Sequence, residues 1–492
     1  MALQELIELS SVRATRIPEH AASIRVTSVE CDSRAVAPNA LFCAIRGRNS
    51  DGHDFAVEAQ LAGASAILVD HLLPIDMPQI LVADTAAATG ALSSAFLGHP
   101  SHQMRVLGVT GTNGKTTVTH LLEAISIAAG KSTGVVGTIE TRFVGQTVAS
   151  KHTTPDQCSM QQLFAAMLDA GVRDVAIEVS SHALDQSRVT GTRFAVVCFT
   201  NLGRDHLDYH ESMGAYGAAK ARLFTSQYAP VAAINVNDDF GAALKSHAEL
   251  NGVDVWTYGA RASDVYVEDV RFEAACTKAR VVCVRTDDEF EIETPLVGAF
   301  NVENALCAIT AHLAIGTPTD VIVRGLGSAQ PIPGRLERVS GASDTCNVFV
   351  DYAHTPDALT AVIAALRPIA VPGAMLRVVF GCGGERDRTK RPEMARVVAA
   401  GADSATITSD NPRGEAPESI VADALANWPQ HLVVPKVVLD RRSAIEQVLR
   451  DTKPGDIVLI AGKGHEVTQT IGDQTIPFDD RAIAREILAR LR

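Results

Sequence analysis

One run of residues has the composition of a phosphate-binding loop. It reads Gly111, Thr112, Asn113, Gly114, Lys115, Thr116 and Thr117. Glycines let backbone N–H groups approach phosphate oxygens, the lysine reaches the outer phosphates, and a threonine hydroxyl can bind magnesium. The strict pattern would place glycine at position 109, where this chain has Val109. The run predicts a site for ATP and Mg²⁺, with an ordinary glycine-rich turn as the alternative interpretation.

Two further polar runs follow predicted strands, at residues 178–182 and 201–210. In an open parallel sheet, ligands bind beyond the carboxyl ends of the strands. Glu178 and His206 are therefore expected to face the phosphate-binding loop, where magnesium needs ligands. For any single histidine, a packed or surface position is the alternative interpretation. Lys220, by its pattern alone, is a lysine on a helix surface.

A third group of residues spans a proline-containing linker and is placed to contact a nucleotide held between domains. The candidates are Asn301, Asn304, Arg335, Asp351 and His354. Clefts between domains are favoured ligand sites. Each of these residues also lies in a common kind of turn or helix start, so a purely structural role is the alternative interpretation.

The last part of the chain combines arginines and acids after three predicted strands. The residues are Arg386, Asp410, Asn411, Pro412, Arg413, Gly462 and Glu466. Arginine is suited to bidentate capture of a carboxylate, and a glutamate to pairing with an ammonium. Together they could bind both ends of an amino acid. Solvated loops with surface ion pairs are the alternative interpretation.

The elements that must position these groups alternate between strand and helix. Apolar runs predict strands at residues 105–110, 174–179, 194–200, 231–236, 347–350, 376–380, 405–408, 433–438 and 456–461. Helices are predicted at 118–129, 301–313, 356–366, 392–400, 418–427 and 442–450. Such alternation indicates right-handed βαβ units and parallel sheets. The first hundred residues are mixed, with short strands at 41–45 and 66–69 and helical stretches at 55–62 and 86–97.

The length of 492 residues suggests roughly three domains. Turn-rich stretches at 98–101 and 331–334 predict the boundaries, giving domains at 1–102, 103–333 and 334–492. We expect an α/β protein with an N-terminal α/β domain, a central P-loop ATPase-like domain built on a parallel sheet, and a C-terminal Rossmann-like domain.

Composition excludes several classes of protein. The net charge of −13 argues against a nucleic-acid partner, which usually requires a basic face. No apolar run approaches the length of about 20 residues that a membrane span needs. The nine cysteines form no Cys-x-x-Cys pair, which favours a reduced compartment without disulfides or zinc. The first residues lack the features of a signal peptide, so we expect a cytoplasmic protein.

The whole chain resembles the Mur ligases, ATP-dependent amide-bond synthetases of peptidoglycan synthesis. The resemblance rests on residues 110–117, 178–182, 201–210 and 351–356. Residues 32–34, 47–53 and 152–155 resemble the UDP-binding and sugar-peptide regions of the branch that adds meso-2,6-diaminopimelate. The Asp-Asn-Pro-Arg run at 410–413 is the form associated with that amino acid, and lysine-adding relatives lack its arginine.

The resemblance implies roles for particular residues. The N-terminal domain would bind UDP, and the UDP-muramoyl-dipeptide would contact Ser33, Arg48, Asn49, Ser50, Thr153, Thr154, Ser180, Gln186 and Arg188. Lys220 would be a carbamylated lysine that holds magnesium together with Thr116, Glu178 and His206. Arg386, Gly462, Glu466 and residues 410–413 would bind the amino acid.

The implied reaction joins meso-2,6-diaminopimelate to UDP-N-acetylmuramoyl-L-alanyl-D-glutamate through an acyl phosphate, with ATP and Mg²⁺ and no covalent enzyme nucleophile. Lys115, Lys220, His206 and Glu178 would be the catalytic residues. Three alternatives stay open: a lysine-adding relative, a folylpolyglutamate synthetase-like ligase, and a nucleotide-switch or transport ATPase. We expect a monomer.

Overall fold

The computed structural model of the chain describes residues 1–48, 50–148, 152–273, 276–341, 343–429 and 431–491. It folds into three successive α/β units, each built on its own mainly parallel sheet. Within these ranges, no helix has the length and apolar character that crossing a membrane requires.

The first unit is a four-stranded parallel sheet in the order β1-β2-β3-β4. Its elements are α1 Leu3–Ser10, β1 Val29–Glu30, β2 Leu41–Cys43, α2 Ala56–Leu61, β3 Ala66–Val69, β4 Gln79–Leu81 and α3 Thr85–Phe96. All side chains of β2 and β3 are buried, because helices and loops cover both faces of the sheet.

The second unit is an eleven-stranded sheet in the order β15-β14-β13-β12-β11-β10-β5-β9-β6-β7-β8. Its strands are β5 Arg105–Thr110, β6 Thr133–Val136, β7 Thr141–Phe143, β8 Gln146–Val148, β9 Asp174–Glu178, β10 Val196–Phe199, β11 Val231–Asn235, β12 Asp254–Gly259, β13 Val265–Phe272, β14 Thr277–Cys283 and β15 Asp288–Thr294. Its helices are α4 Lys115–Ala128, α5 Gln157–Asp169, α6 Ser181–Asp185, α7 Leu207–His210, α8 Met213–Ala221, α9 Asp239–Leu250, α10 Ala299–Ala314 and α11 Thr319–Gly327.

The centre of this sheet is parallel, as the alternation of strands and helices predicts, but both edges are antiparallel. Strands β13 to β15 form a meander at one edge, and β6 to β8 form another at the opposite edge. Neither meander was predicted from the sequence. Central strands are apolar on both faces: in β5, Val106 contributes to one core, whereas Leu107 and Val109 contribute to the other.

The third unit is a six-stranded sheet in the order β16-β17-β21-β18-β19-β20, parallel apart from β16. Its elements are β16 Glu337–Arg338, β17 Asn347–Asp351, α12 Pro356–Leu366, β18 Leu376–Phe380, α13 Lys390–Gly401, β19 Ser404–Ile407, α14 Pro417–Leu425, β20 Lys436–Val437, α15 Arg441–Arg450, β21 Ile457–Ala461, β22 Thr468–Ile471, β23 Gln474–Pro477 and α16 Asp480–Leu491. Strands β22 and β23 form a separate hairpin.

One predicted strand of this unit is much shorter than expected. The prediction covered residues 433–438, but β20 spans only Lys436–Val437, and both of its side chains are exposed. Strand β20 is the edge strand of its sheet, where it pairs with β19. An edge strand can be short, so an apolar run at this position need not be hydrogen-bonded to its neighbour along its whole length.

Candidate functional site

Two glycines give the phosphate-binding loop its shape. Gly111 has φ of +150°, and a Cβ there would lie 1.9 Å from Thr200 Oγ1. Gly114 has φ of +85° and precedes α4, and a Cβ there would lie 2.3 Å from Asn304 Oδ1. A larger residue at either position would displace the loop. The loop therefore presents backbone N–H groups at a helix N-terminus, an arrangement suited to phosphate.

Lys115 folds back over this loop. Its Nζ donates to the carbonyl oxygens of Gly111, at 2.9 Å, and Thr112, at 2.8 Å. Burial lowers the pKa of Lys115, and nearby Glu178 and Asp205 oppose that shift. The ammonium thus lies directly over the backbone that would hold phosphates, in surroundings that strengthen its attraction for an anion.

The residues proposed for magnesium line one cavity of about 560 Å³, here called the loop cavity. Its wall includes Thr116, Glu178, His206 and Lys220. Thr116 Oγ1 donates to Glu178 Oε1 at 2.9 Å, and Thr138 Oγ1 donates to Glu178 Oε2 at 3.0 Å. A hydroxyl, a carboxylate and an imidazole in one cavity form a donor set that fits a divalent ion.

Lys220 is not the surface lysine that its sequence pattern predicts. Lys220 lies on α8 with its side chain buried. Its Nζ donates to Gly111 O at 2.8 Å, and the same carbonyl accepts from Lys115. Burial, and then the charge of Lys115, lower the pKa of Lys220 well below its usual range. Tyr216 on the same helix also contacts the loop, with its hydroxyl 3.1 Å from Thr112 Oγ1, so the amine of Lys220 lies inside the site.

His206 lies at the start of α7 with φ of +54°. Its ring contacts the His182 ring edge-on, with centroids 4.8 Å apart. Burial lowers the pKa of His206, against the opposing effect of Asp205. The imidazole is therefore neutral at physiological pH, the form that binds metal ions.

A second cavity, of about 310 Å³, opens between the second and third units and is here called the linker cleft. Asn113, Asn304, Arg335, Asp351 and His354 line it. Asn301 is buried behind the cleft and holds Asn304 through a hydrogen bond of 3.0 Å. Asn301 therefore positions a cleft residue and does not itself line the cleft.

Arg335 joins the third unit to the phosphate-binding loop. Its Nη2 donates to Thr116 Oγ1 at 3.1 Å, and its guanidinium lies 4.7 Å from the centre of the Tyr352 ring. Its buried Nε has no hydrogen-bond partner within the described part of the chain. An unpartnered donor here is suited to an oxygen of a bound nucleotide.

The residues expected to bind the UDP-linked substrate fall into two places. Thr153, Ser180 and Arg188 line the loop cavity. Behind them, Thr154 O accepts from Arg188 Nη1 at 2.9 Å, and Arg188 Nη2 donates to Gln186 Oε1 at 2.7 Å.

The N-terminal candidates lie farther out. Ser33 begins a short 3₁₀ helix, and Ser50 is exposed. The Arg48 guanidinium lies 5.2 Å from the centre of the Tyr209 ring, and its Nη2 donates to Asp208 O at 3.3 Å. Asn49 lies outside the described residues. The Arg48 contacts connect the first unit to the second beside His182, a wall residue of the loop cavity whose ring centroid lies 4.2 Å from that of Tyr209.

A third cavity, of about 550 Å³, is here called the C-terminal cavity. Its wall includes Arg386, Asp410, Asn411, Arg413, Gly462 and Glu466, whereas Pro412 is not on it. The Asp410 carboxyl is buried, and its Oδ1 has no hydrogen-bond partner within the described part of the chain. Burial raises the pKa of Asp410. The buried Lys463 places its Nζ 3.8 Å from Asp410 Oδ1, so the carboxyl already faces a cation of the protein itself.

The side chain of Asn411 is hydrogen-bonded to the run at residues 463–466. Asn411 Nδ2 donates to Glu466 Oε2 at 2.8 Å, and Asn411 Oδ1 accepts from Lys463 Nζ at 3.1 Å. Arg413 Nη1 donates to Gly384 O at 2.6 Å. The buried Lys463 bonds both Asn411 and Glu466, so the three side chains form one hydrogen-bonded group.

Lys463 is a functional candidate that the sequence analysis missed. It is fully buried, and its Nζ also donates to Glu466 Oε2 at 2.8 Å. This contact lowers the pKa of Glu466, against the effect of burial. Its position inside the run Gly-Lys-Gly-His-Glu was the available signal.

Three family models match the chain. They are the Mur ligase family catalytic domain at residues 25–97, the Mur ligase middle domain at 109–312 and the Mur ligase glutamate ligase domain at 334–464. The UDP-N-acetylmuramoyl-L-alanyl-D-glutamate–2,6-diaminopimelate ligase of Gloeobacter violaceus is 43% identical over 100% of this chain and 99% of its own.

Solved structures agree. A structure described as UDP-N-acetylmuramoyl-L-alanyl-D-glutamate–2,6-diaminopimelate ligase matches with a TM-score of 0.73 and 32% identity, over 99% of each chain. The MurF ligase of Thermotoga maritima in complex with ADP matches in fold, with a TM-score of 0.60 and 18% identity, over 94% of this chain and 96% of its own.

Proposed function

This chain belongs to the Mur ligase family, and we propose that it joins meso-2,6-diaminopimelate to UDP-N-acetylmuramoyl-L-alanyl-D-glutamate at the expense of ATP. The products are the UDP-tripeptide, ADP and phosphate. Relatives named for this reaction cover the full length of the chain at 43% and 32% identity. Because ATP is a cytoplasmic substrate, we place the enzyme in the cytoplasm.

The observation that carries this proposal is the convergence of the three cavities. Tyr352 and His354, at the end of β17, lie on the walls of the loop cavity, the linker cleft and the C-terminal cavity. Arg386 lies on the walls of the loop cavity and the C-terminal cavity. A nucleotide, an acid and an amine bound in these cavities would therefore meet at one place, as a ligase that consumes ATP requires.

The linker cleft is assigned to the nucleoside and the phosphate-binding loop to the phosphates. A carboxylate is a poor electrophile, so transfer of the γ-phosphoryl group to the D-glutamate side chain activates it as an acyl phosphate. The amine of the amino acid then attacks, and phosphate leaves. Lys115 and the loop N–H groups offset the charge that accumulates as two anions approach each other.

Magnesium, when bound, would neutralise part of the charge on the transferred phosphoryl group. The residues that would hold it are Thr116, Glu178, His206 and Lys220. Unmodified Lys220 would repel the ion. We propose that Lys220 is carbamylated, because its depressed pKa favours the neutral amine that reacts with carbon dioxide.

The competing functions are less well supported. A folylpolyglutamate synthetase would share the loop and the acyl-phosphate chemistry, but it does not explain the first unit or the Asp-Asn-Pro-Arg run at 410–413. A switch or transport ATPase does not need the C-terminal cavity, where the acids Asp410 and Glu466 lie with Arg413 and Arg386.

The choice of amino acid is tested at Arg413. Meso-diaminopimelate differs from lysine by a second carboxylate, which a guanidinium can bind bidentately. Hydrogen bonds to charged groups contribute about 2 kcal/mol, so we expect Arg413→Ala to raise the KM for diaminopimelate about 30-fold. Catalytic efficiency with lysine should stay equal or rise, because the arginine repels the lysine ammonium. The measurement is the ratio of kcat/KM values for the two amino acids.

The matched control is Arg396→Ala, which removes an exposed arginine from α13 of the same unit. It should leave both efficiencies unchanged. If Arg413→Ala lowered both efficiencies by the same factor, Arg413 would be a structural residue, and the assignment of diaminopimelate would lose its main support.

A further inference from the structure

The hairpin of β22 and β23 is bound to the loop that carries Arg413. Gln469 Nε2 donates to Asp410 O at 2.6 Å, and the Thr470 N–H donates to Asn411 Oδ1 at 3.0 Å. Two backbone bonds continue the contact: Arg413 N donates to Thr470 O at 3.1 Å, and Gly472 N donates to Arg413 O at 2.7 Å. The hairpin thus holds the backbone of residues 410–413 through hydrogen bonds along its length.

This loop needs such support because of its backbone conformation. Arg413 has φ of +51°, in the left-handed region that residues with a Cβ rarely adopt. The same conformation directs the guanidinium towards Gly384 O and the C-terminal cavity. Without the hairpin, the loop is free to relax to a commoner conformation, and the arginine would leave its position.

The burial pattern of the hairpin points to the same role. Within residues 468–477, all of which the structure describes, Gln469 is the one buried side chain, whereas Ile471 and Ile476 on the hairpin are exposed. A hairpin that contributes one buried polar side chain is not built to extend a core. The Gln469 side chain instead donates its hydrogen bond to the backbone carbonyl of Asp410 in the C-terminal cavity.

We infer that Gln469 is a positioning residue for amino-acid selection, acting through the conformation of residues 410–413. The inference rests on the proposed function, because it takes the C-terminal cavity as the site of the amino acid. Gln469 need not touch the substrate. Its side-chain amide holds the backbone of Asp410, and the next residues of the hairpin, Thr470 and Gly472, hold the backbone of Arg413.

The test is Gln469→Leu, which keeps the approximate volume and removes the donor. We expect the KM for diaminopimelate to rise about tenfold, as for loss of one hydrogen bond, with kcat and the KM values for ATP and the UDP-dipeptide within about twofold. Gln474→Leu, at an exposed position on β23, is the matched control and should change nothing.

A double-mutant cycle separates positioning from general damage. In an Arg413→Ala background, Gln469→Leu should raise the KM for diaminopimelate by less than about twofold further, because the residue it positions is absent. Full additivity of the two effects, or an equal loss of efficiency for all three substrates, would overturn the inference. If Gln469→Leu does not fold, Gln469→Asn, whose amide cannot reach Asp410 O in the same position, is judged by the same outcomes.

Measuring the wild-type enzyme in the same assay separates failure of the proposed function from failure of the role proposed for Gln469. If wild type does not use diaminopimelate, the proposed function is wrong. If wild type uses it and Gln469→Leu retains the wild-type KM, only the role of Gln469 is wrong.

Discussion

Replacing Lys115 by alanine is expected to reduce ligation by about 1,000-fold, the order associated with losing a positive group at a transferred phosphoryl group. The Lys115 ammonium lies over the Gly111 and Thr112 carbonyls, at the start of α4. Arg335, which also reaches the loop, is held by Thr116 and Tyr352 and cannot follow the phosphoryl group. The measurement is kcat for ADP formation with all substrates saturating.

The control for this prediction is Lys131→Ala, an exposed lysine just beyond the other end of α4. It should retain normal turnover, and both variants should show the melting temperature of the wild type. Near-normal turnover of a folded Lys115→Ala variant would remove the loop from the reaction.

Lys220→Ala should lower the rate of ligation by at least about 100-fold, because the variant loses both a magnesium ligand and the hydrogen bond from that side chain to the loop. The Lys220 amine is buried and reaches Gly111 O, so its carbamate would add a negative charge within the loop cavity. A short-chain carboxylate such as acetate or formate fits the space left by the side chain. We expect it to restore part of the activity in a concentration-dependent manner.

Lys245→Ala is the matched control, since Lys245 lies on α9 with 42% of its side chain exposed. It should be fully active and unaffected by carboxylate. Two results together would contradict the carbamate. The first is a folded Lys220→Ala variant that no carboxylate rescues. The second is electron density, in a nucleotide complex of the wild type, for an unmodified Lys220 amine remote from the metal.

Features set by local sequence were predictable. The strand at Arg105–Thr110 and the helix at Pro356–Leu366 have the predicted bounds, because an unbroken apolar run and a proline at the first helical turn are local signals. Helix α4 begins at Lys115, three residues before the prediction, because the polar loop residues themselves form its first turn.

Features set by tertiary packing were not. Burial of Lys220 depends on how closely α8 approaches the loop, which residue type alone does not reveal. The partners of Asn411 depend on Lys463, which is distant in sequence and adjacent in space. Strands β14 and β15 of the antiparallel meander have alternating buried and more exposed positions, and they join the edge of a parallel sheet without the intervening helix that identifies a βαβ unit.

The measurement that tests the account most directly is ADP formation with ATP, Mg²⁺ and UDP-N-acetylmuramoyl-L-alanyl-D-glutamate, with diaminopimelate, lysine and ornithine supplied in parallel. The mass of the nucleotide product is determined in each case. We expect ADP formation that depends on both cosubstrates, with diaminopimelate strongly preferred, and a nucleotide product heavier by one diaminopimelate residue. ADP formation without either cosubstrate, or a preference for lysine or ornithine, would contradict it.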